Sequence, residues 1–218
     1  MRSRIAVAQI DCTLGDVAAN LAKIDQFTRS AVEGGAGLVI FPELATTGYF
    51  IADRINELAE PIPGPTTDAL AEVARAQGAW LVVGMAEARA GKHHNVSVLI
   101  SPAGLEGVYR KVHLFDSEKT TFTPDVEPAL FDTPFGKIAL TICYDLLFPE
   151  YIRSLVLAGA DVIVNSTNWI ADSYQREVWG WTGERTEALA SIRALENTTF
   201  VAMAARTGAE LHFTSLGH

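Results

Sequence analysis

A thiol, a carboxyl and an amine each follow an apolar run of this sequence. Cys143 directly follows the apolar run 137–142, and Glu43 and Lys111 also lie at the ends of predicted strands. An open α/β sheet binds its ligands at the carboxyl ends of its strands, so we group these three residues although they are far apart along the chain. Together, an acid, an amine and a thiol can carry out acyl transfer.

Each of the three residues fits one role in that chemistry. The Cys143 thiolate, which we expect a following helix N-terminus to favour, attacks a carbonyl or nitrile carbon and forms a thioester or thioimidate. Glu43 accepts the thiol proton, because a carboxyl in a partly dry site can have a pKa raised toward neutrality. Lys111 and the backbone N–H of Tyr144 stabilise the oxyanion, and losing one such donor costs roughly 3–4 kcal/mol of barrier. Glu43 then protonates the leaving ammonia and activates water.

Simpler interpretations exist for the same residues. An isolated cysteine is more often a buried structural thiol, which is our interpretation of Cys12. His113 lies two residues after Lys111 and would share its face of a continuing strand, so a papain-like Cys143–His113 dyad is an alternative. No Asn or Asp is obviously placed to orient that ring, and we therefore expect His113 to form structural hydrogen bonds.

Apolar periodicity and turn residues predict the elements that position these groups. The predicted strands are 5–10, 38–41, 80–86, 96–100, one through 108–110, 137–142, 162–165 and 199–204. The predicted helices are 20–33, 67–77 with Thr66 or Thr67 as its cap, 149–158 and 182–196, and the predicted loops are 44–66 and 111–128. Strand–helix–strand units at both ends, with consecutive strands between them, indicate an α/β fold with a mixed sheet or with two sheets covered by helices. There are more strands than one open sheet conveniently holds, which favours a sandwich.

Composition limits the possible partners and settings. The 218 residues suit one domain, and the net charge of −9 argues against a nucleic-acid partner. No run approaches the roughly 20 apolar residues of a membrane span. Two cysteines do not form a disulfide framework, and Gln9 and Asp11 interrupt the N-terminal apolar run, making it a poor signal peptide. We expect a cytoplasmic protein without a metal or a cofactor.

The segments around the three residues resemble the signature blocks of the nitrilase superfamily of carbon–nitrogen hydrolases. The blocks are Phe41-Pro-Glu-Leu44, Tyr109-Arg-Lys-Val-His-Leu-Phe115 and Ile142-Cys-Tyr-Asp-Leu-Leu-Phe-Pro-Glu150. Three further segments also resemble sequences of this family: Glu118-Lys-Thr-Thr-Phe-Thr-Pro124, Asn165-Ser-Thr-Asn-Trp169 and Arg193-Ala-Leu-Glu-Asn197. The order and spacing of the three blocks are similar to those of the family, and the resemblance runs from the first strand to about Gly208.

The resemblance implies a four-layer αββα sandwich with two mixed sheets, formed by residues 1–218 as one domain. It implies a Glu43–Lys111–Cys143 triad, with Glu118 as an accessory carboxylate that orients Lys111 or the substrate. It also implies a homodimer or higher homo-oligomer, with contacts through the helix after the nucleophile and the 182–196 helix. Family chains continue past the point where this sequence stops, so we expect C-terminal strands to be missing. A smaller departure is Pro124-Asp125, where the family usually has Pro-Gly.

The resemblance favours a small-amide amidase, acting on aliphatic or ω-amides with water and releasing ammonia. Nitrile or N-carbamoyl amine hydrolysis could use the same triad. A truncated, inactive homologue acting as a binding module is the alternative from another class. The residues that could line the substrate pocket are Tyr49, Tyr144, Phe148, Asn168 and Trp169.

Overall fold

A computed structural model gives the fold of residues 4–217. Met1–Ser3, which belong to the segment interpreted as a poor signal peptide, and His218 lie outside the described residues. Within residues 4–217, no helix combines the length and apolar character that crossing a membrane requires.

Strands and helices alternate at both ends of the chain, with consecutive strands between them. The strands are β1 Arg4–Val7, β2 Ala36–Ile40, β3 Trp80–Arg89, β4 Lys92–Ser101, β5 Gly104–Arg110, β6 Ala129–Thr133, β7 Gly136–Ile142, β8 Val162–Thr167, β9 Ile170–Ala171, β10 Phe200–Ala205, β11 Ala209–Glu210 and β12 Phe213–Ser215. The helices are α1 Val17–Glu33, α2 Ile55–Leu58, α3 Pro65–Gln77, α4 Glu118–Thr121, α5 Pro149–Leu157, α6 Ser173–Glu177 and α7 Gly183–Asn197. The predicted order of elements is therefore present.

Two mixed sheets make up the centre of the fold. One has five strands in the order β1-β2-β3-β4-β5, parallel from β1 to β3 and antiparallel from β3 to β5. The other has four strands in the order β10-β8-β7-β6, in which β6 alone is antiparallel to its neighbour. The short strands β11, β12 and β9 form a third, small antiparallel sheet.

The two large sheets pack face to face, and helices cover both outer faces. Buried side chains of β2, β3 and β4 meet those of β7 and β8 between the sheets. Helices α1 and α3 pack on the outer face of the first sheet, and α5 and α7 lie against elements of the second. This arrangement confirms the predicted α/β fold with two mixed sheets. It also brings the ends of strands from both sheets to one site.

Local chemistry explains where the helices begin. The Asp16 side chain accepts a hydrogen bond from the backbone of Ala19, so α1 begins before the predicted residue 20. Helix α3 was predicted to have Thr66 or Thr67 as its cap, but Gly64 is the cap and Pro65 is the first helical residue. Proline suits that position because its missing N–H would have no intrahelical partner.

Three differences between prediction and structure lie in connections. Strands β3 and β4 extend beyond their predicted ends to a tight turn at Ala90 and Gly91, both with positive φ. Strand β6 lies between the predicted loop 111–128 and the predicted strand 137–142, in residues to which the sequence assigned no element, and it pairs with β7. The predicted loop 44–66 contains the one-turn helix α2.

Candidate active site

The backbone at Cys143 turns sharply from strand into helical conformation. Cys143 follows β7 and begins a 3-10 turn that runs to Leu147. Its φ is +44°, an uncommon value for a residue with a side chain. Strained positions of this kind persist only where the surrounding structure holds them, and they cluster at active sites. The thiol is thereby fixed at the end of a central strand.

The Cys143 thiol is buried, and its pKa is raised well above the usual value. Burial is the largest cause, the charge of Glu43 adds to it, and Lys111 and a hydrogen bond with Thr167 offset part of it. The expectation that a helix N-terminus favours the thiolate is wrong here, because α5 begins only at Pro149, beyond the 3-10 turn. The thiol therefore stays protonated at neutral pH until a base accepts its proton.

Glu43 lies on a turn that packs tightly against β3. A Cβ at Gly84 would lie 2.4 Å from Leu44 N and Pro42 O and 2.7 Å from Glu43 Cα. Only a residue without a side chain allows this approach, which carries Glu43 inward. The Glu43 carboxylate is buried, and its Oε2 accepts the backbone N–H of Asn168 at 3.1 Å.

Lys111 lies between two carboxylates in the interior. Its Nζ donates to Glu43 Oε1 at 2.6 Å and to Glu118 Oε1 at 2.9 Å. The Lys111 side chain is 0% exposed, and those of Glu43 and Glu118 are 0% and 3% exposed. A buried charge requires such partners, because an unpaired one would cost several kcal/mol. The structure thus brings Glu43, Lys111 and Glu118 into one hydrogen-bonded group.

Glu118 is held from three sides. Its Oε1 accepts the Tyr49 hydroxyl at 3.0 Å, its Oε2 accepts the Phe115 backbone N–H at 2.8 Å, and Lys111 donates to it as well. Helix α4, which begins at Glu118, places the side chain over Lys111. The geometry fits the implied accessory role of orienting the lysine.

The charges of this group set the pKa values. Burial raises the pKa of Glu43 to about 7; Lys111 lowers it and Glu118 raises it. Burial lowers the pKa of Lys111, but the charges of Glu118, Glu43 and Cys143 outweigh this effect, so the net shift is upward. Near neutral pH, Glu43 can therefore gain or lose a proton, while Lys111 remains an ammonium.

Asn95 connects the two carboxylates and has no counterpart in the sequence prediction. Its Nδ2 donates to Glu43 Oε1 at 2.8 Å and, more weakly, to Glu118 Oε1 at 3.3 Å. It lies in β4, fully buried, and its backbone carbonyl accepts the Lys111 N–H at 2.9 Å. An asparagine within an apolar strand could have indicated such a role from the sequence, because a buried amide needs hydrogen-bond partners.

His113 is bound to Asp145. Asp145 Oδ1 accepts the His113 backbone N–H at 3.0 Å and lies 2.8 Å from the ring Nδ1. The ring stacks on Phe148 with a centroid distance of 3.8 Å. The expectation that no Asp is placed to orient this ring is wrong, because Asp145 binds it. The charged groups that shift the pKa of Cys143 are instead Glu43, Lys111 and Glu118.

A narrow cavity opens over the thiol. Its volume is about 10 Å³, and its lining is Tyr49, Phe115, Cys143, Asn168, Trp169, Ile170 and Trp181. Three of the five predicted pocket residues, Tyr49, Asn168 and Trp169, are thus in the lining. Tyr144 and Phe148 are not in the lining, and their rings pack against each other with a centroid distance of 5.3 Å. A larger cavity of about 300 Å³ lies at the surface beside α5 and α7, and no catalytic candidate lines it.

The comparisons with known proteins agree with this fold. The sequence model of the carbon–nitrogen hydrolase family matches residues 4–218. The chain therefore belongs to the carbon–nitrogen hydrolases, the nitrilase superfamily that the three sequence blocks indicated.

Two relatives and one solved structure illustrate the similarity. A nitrilase from Pyrococcus abyssi is 36% identical, over 98% of this chain and 79% of that protein. An (R)-stereoselective amidase from Pseudomonas sp. is 34% identical, over 94% of this chain and 72% of that protein. A mutant amidase from Nesterenkonia sp. AN1, with the acetamide moiety of fluoroacetamide added covalently at its active-site cysteine, has a TM-score of 0.83 and 25% identity, covering 98% of this chain and 80% of that chain.

Proposed function

We propose that this chain hydrolyses small, uncharged amides through a thioester on Cys143. The observation that carries the proposal is the buried contact of Glu43 with Lys111, next to a thiol on a strained turn. In the related amidase, an acetamide moiety becomes attached to the active-site cysteine, which supports a cysteine nucleophile here.

Glu43 serves both half-reactions as acid and base. It accepts the thiol proton while the sulfur bonds to the carbonyl carbon, and it returns that proton to the nitrogen as the C–N bond breaks and ammonia leaves. Water then attacks the thioester, Glu43 takes a proton from the water, and the C–S bond breaks to release the acid and restore the thiol. A pKa of about 7 suits this exchange, since proton transfer in both directions is then accessible at neutral pH.

Lys111 and the backbone N–H of Tyr144 receive the oxyanion. Glu43 and Glu118 take two of the three N–H donors of the ammonium, which leaves one for the substrate oxygen. Glu118, held by Tyr49 and Phe115, fixes the direction of the remaining donor. A donor fixed in advance within a dry site stabilises developing charge at little reorganisation cost.

The cavity favours a small acyl group without a charge. Aromatic and aliphatic side chains dominate its lining, and none of the seven lining side chains carries a charge while the thiol is protonated. A volume of about 10 Å³ is on the order of one water molecule, so larger acyl groups must displace part of the wall. The carboxylate of an ω-amide would find no counter-charge among these lining residues, and Lys111 is already paired with Glu43 and Glu118.

The experiment measures ammonia release from propionamide, butyramide, a monoamide of succinate, a nitrile and an N-carbamoyl amine. Cys143→Ala is the control for background release. We expect kcat/KM for the uncharged amides to exceed that for the succinate monoamide, and intact mass to show an acyl adduct on Cys143 that Cys143→Ala lacks. Preference for the charged amide, the nitrile or the carbamoyl compound would overturn the substrate class. No turnover of any compound would favour the binding-module alternative.

Homo-oligomer formation and a cytoplasmic setting stay predictions. Exposed apolar side chains at α5, α7 and the start of β10 support the first: Leu157 is 74%, Leu195 81% and Phe200 76% exposed. Light scattering on the eluted protein gives its mass in solution, and a monomer at micromolar concentration would contradict the prediction. Cys12 and Cys143, both free, support a reducing compartment.

A further inference from the structure

Glu210 binds the backbone of the loop that carries Tyr49. Its Oε1 and Oε2 lie 3.1 and 3.0 Å from the Tyr49 N–H, and Oε2 also accepts the Phe50 N–H at 3.0 Å. Glu210 is in β11, and 161 positions separate it from Tyr49. A carboxylate that accepts two consecutive backbone donors fixes the orientation of that peptide segment.

Arg206 holds Glu210 from the opposite side. Its Nη1 donates to Glu210 Oε1, while its Nη2 donates to the Cys12 carbonyl at 2.7 Å and to Asp11 Oδ1 at 3.1 Å. Arg206 is 1% exposed, so its charge is compensated only through these partners. Burying this arginine and Glu210 carries a desolvation penalty that offsets their mutual attraction. The pair therefore contributes little net folding stability, which favours a role other than stabilisation.

Gly48 makes the approach of the carboxylate possible. Its φ is +79°, and a Cβ at this position would lie 2.7 Å from Glu210 Oε1 and 3.0 Å from Leu14 Cα. Glycine satisfies both conditions, because it adopts positive φ without strain and leaves the space open. The loop backbone is thus shaped to receive Glu210.

Tyr49 transmits this placement to the catalytic group. Its hydroxyl donates to Glu118 Oε1 at 3.0 Å, and Glu118 accepts from Lys111 at 2.9 Å. The Tyr49 ring also lines the cavity over Cys143. Burial and then the charge of Glu118 raise the tyrosine pKa, so the phenol keeps its proton and remains a donor.

We propose that Glu210, clamped by Arg206, is a positioning residue of the active site that acts through Tyr49 on Glu118 and hence on the Lys111 ammonium. The proposal rests on the proposed amide hydrolysis, and nothing in the three sequence blocks indicates it. Glu210 touches no reacting atom. Its effect is to fix the tyrosine that fixes the accessory carboxylate.

The test is a double-mutant cycle of Glu210→Gln with Tyr49→Phe, read as kcat and KM for an uncharged amide. Small misplacements of catalytic groups can cost up to about 100-fold in rate, so we expect Glu210→Gln alone to lower kcat by roughly 10- to 100-fold with a smaller change in KM. In the Tyr49→Phe background, the same substitution should lower kcat by less than about threefold, because the pathway through the hydroxyl is already broken. An equal loss in both backgrounds would overturn the proposal.

Asp11→Asn is the matched control, since it neutralises a carboxylate that contacts Arg206 without touching Glu210 or the Tyr49 loop. We expect it to leave kcat unchanged, whereas an equal loss in Asp11→Asn and Glu210→Gln would show a general effect of the ion-pair cluster and overturn the proposal. If Glu210→Gln does not fold, Arg206→Lys takes its place in the cycle, because lysine keeps the charge but cannot reproduce the guanidinium fork.

A second readout separates this proposal from the proposed function. The rate of Cys143 alkylation by iodoacetamide, followed by intact mass, reports the arrangement around the thiol without requiring turnover. If the native chain hydrolyses no amide, the proposed function fails, and the cycle is read from alkylation rates. Non-additive rates then support the positioning role, and additive rates overturn it.

Discussion

Lys111 Nζ lies 2.6 Å from Glu43 Oε1, in a contact from which solvent is excluded on both sides. Glu118 competes with Glu43 for the same ammonium, at 2.9 Å. Each carboxylate therefore receives only part of the compensating positive charge. Burial raises the pKa of Glu43, and because the ammonium is shared with Glu118, its contact with Lys111 does not cancel that rise.

The first prediction concerns the pH dependence of kcat/KM. Glu43 must be ionised to accept the thiol proton, and its pKa is about 7. Activity should therefore rise with pH through about 7, and well below that value kcat/KM should fall about tenfold per pH unit. Initial rates between pH 5 and 9 measure this limb. A limb near pH 4.5, the ordinary glutamate range, would contradict the assignment of Glu43 as base.

The second prediction concerns Lys111→Met. Removing the ammonium leaves Glu43 and Glu118 buried without a counter-charge, a change that typically costs about 3–5 kcal/mol in the free energy of unfolding. The pKa of Glu43 should rise further, because Lys111 lowers it in the native chain. A carboxyl whose folded pKa is raised contributes stability that is present below its unfolded pKa and is lost as pH rises through the folded value.

Lys111→Met should accordingly be closest to the native chain in stability at acid pH and furthest from it above about pH 7. Urea unfolding at pH 5 and pH 8 measures the difference, and Lys119→Met, a substitution in an exposed part of α4, is the matched control. Equal destabilisation at both pH values would contradict this pH dependence.

The third prediction decides between Glu43 and His113 as the base. Asp145 holds the His113 ring and also accepts the backbone N–H of Ile142 at 2.8 Å. His113→Ala should therefore keep acylation of Cys143, while Glu43→Gln should abolish it. Each variant is mixed rapidly with an amide and quenched, and intact-protein mass spectrometry then measures the acyl adduct on Cys143. Loss of acylation in His113→Ala, with retention in Glu43→Gln, would establish the papain-like arrangement instead.

The fourth prediction concerns Gly84→Ala. The added methyl would lie 2.4 Å from Leu44 N and Pro42 O, so the turn that carries Glu43 must move. Overpacking of this kind costs typically 1–3 kcal/mol, and the displaced base should lower kcat as well. Gly78→Ala is the control, because a Cβ there meets nothing within 4 Å and only the positive φ of 62° opposes it. We expect Gly78→Ala to lower the melting temperature without changing kcat.

Sequence patterns predicted the order of the large elements because apolar periodicity is a local signal. The two mixed sheets and the family are confirmed. Capping was harder to predict: Thr67 is not the cap of α3, but its hydroxyl still bonds the backbone of Gly64. Strand β6 was missed because its edge position leaves Asp132 exposed and interrupts the apolar run.

The site was predictable only in part. Glu43, Lys111 and Cys143 lie in short distinctive blocks, whereas Asn95 and Glu210 make contacts that link distant positions. Asn95 lies 52 positions from Glu43 and Glu210 lies 161 positions from Tyr49. Neither has neighbours in sequence that indicate chemistry, so only the packing of the two sheets and the loops reveals them.

The buried group of Glu43, Glu118 and Lys111 has a consequence for its total charge. With both carboxyls ionised the three residues carry one net negative charge, and ionising Cys143 alone would add a second in a region closed to solvent. In the proposed mechanism, moving the thiol proton onto Glu43 keeps the total constant at each step of acylation and deacylation. That mechanism thus relocates charge within a dry interior and never has to create it there.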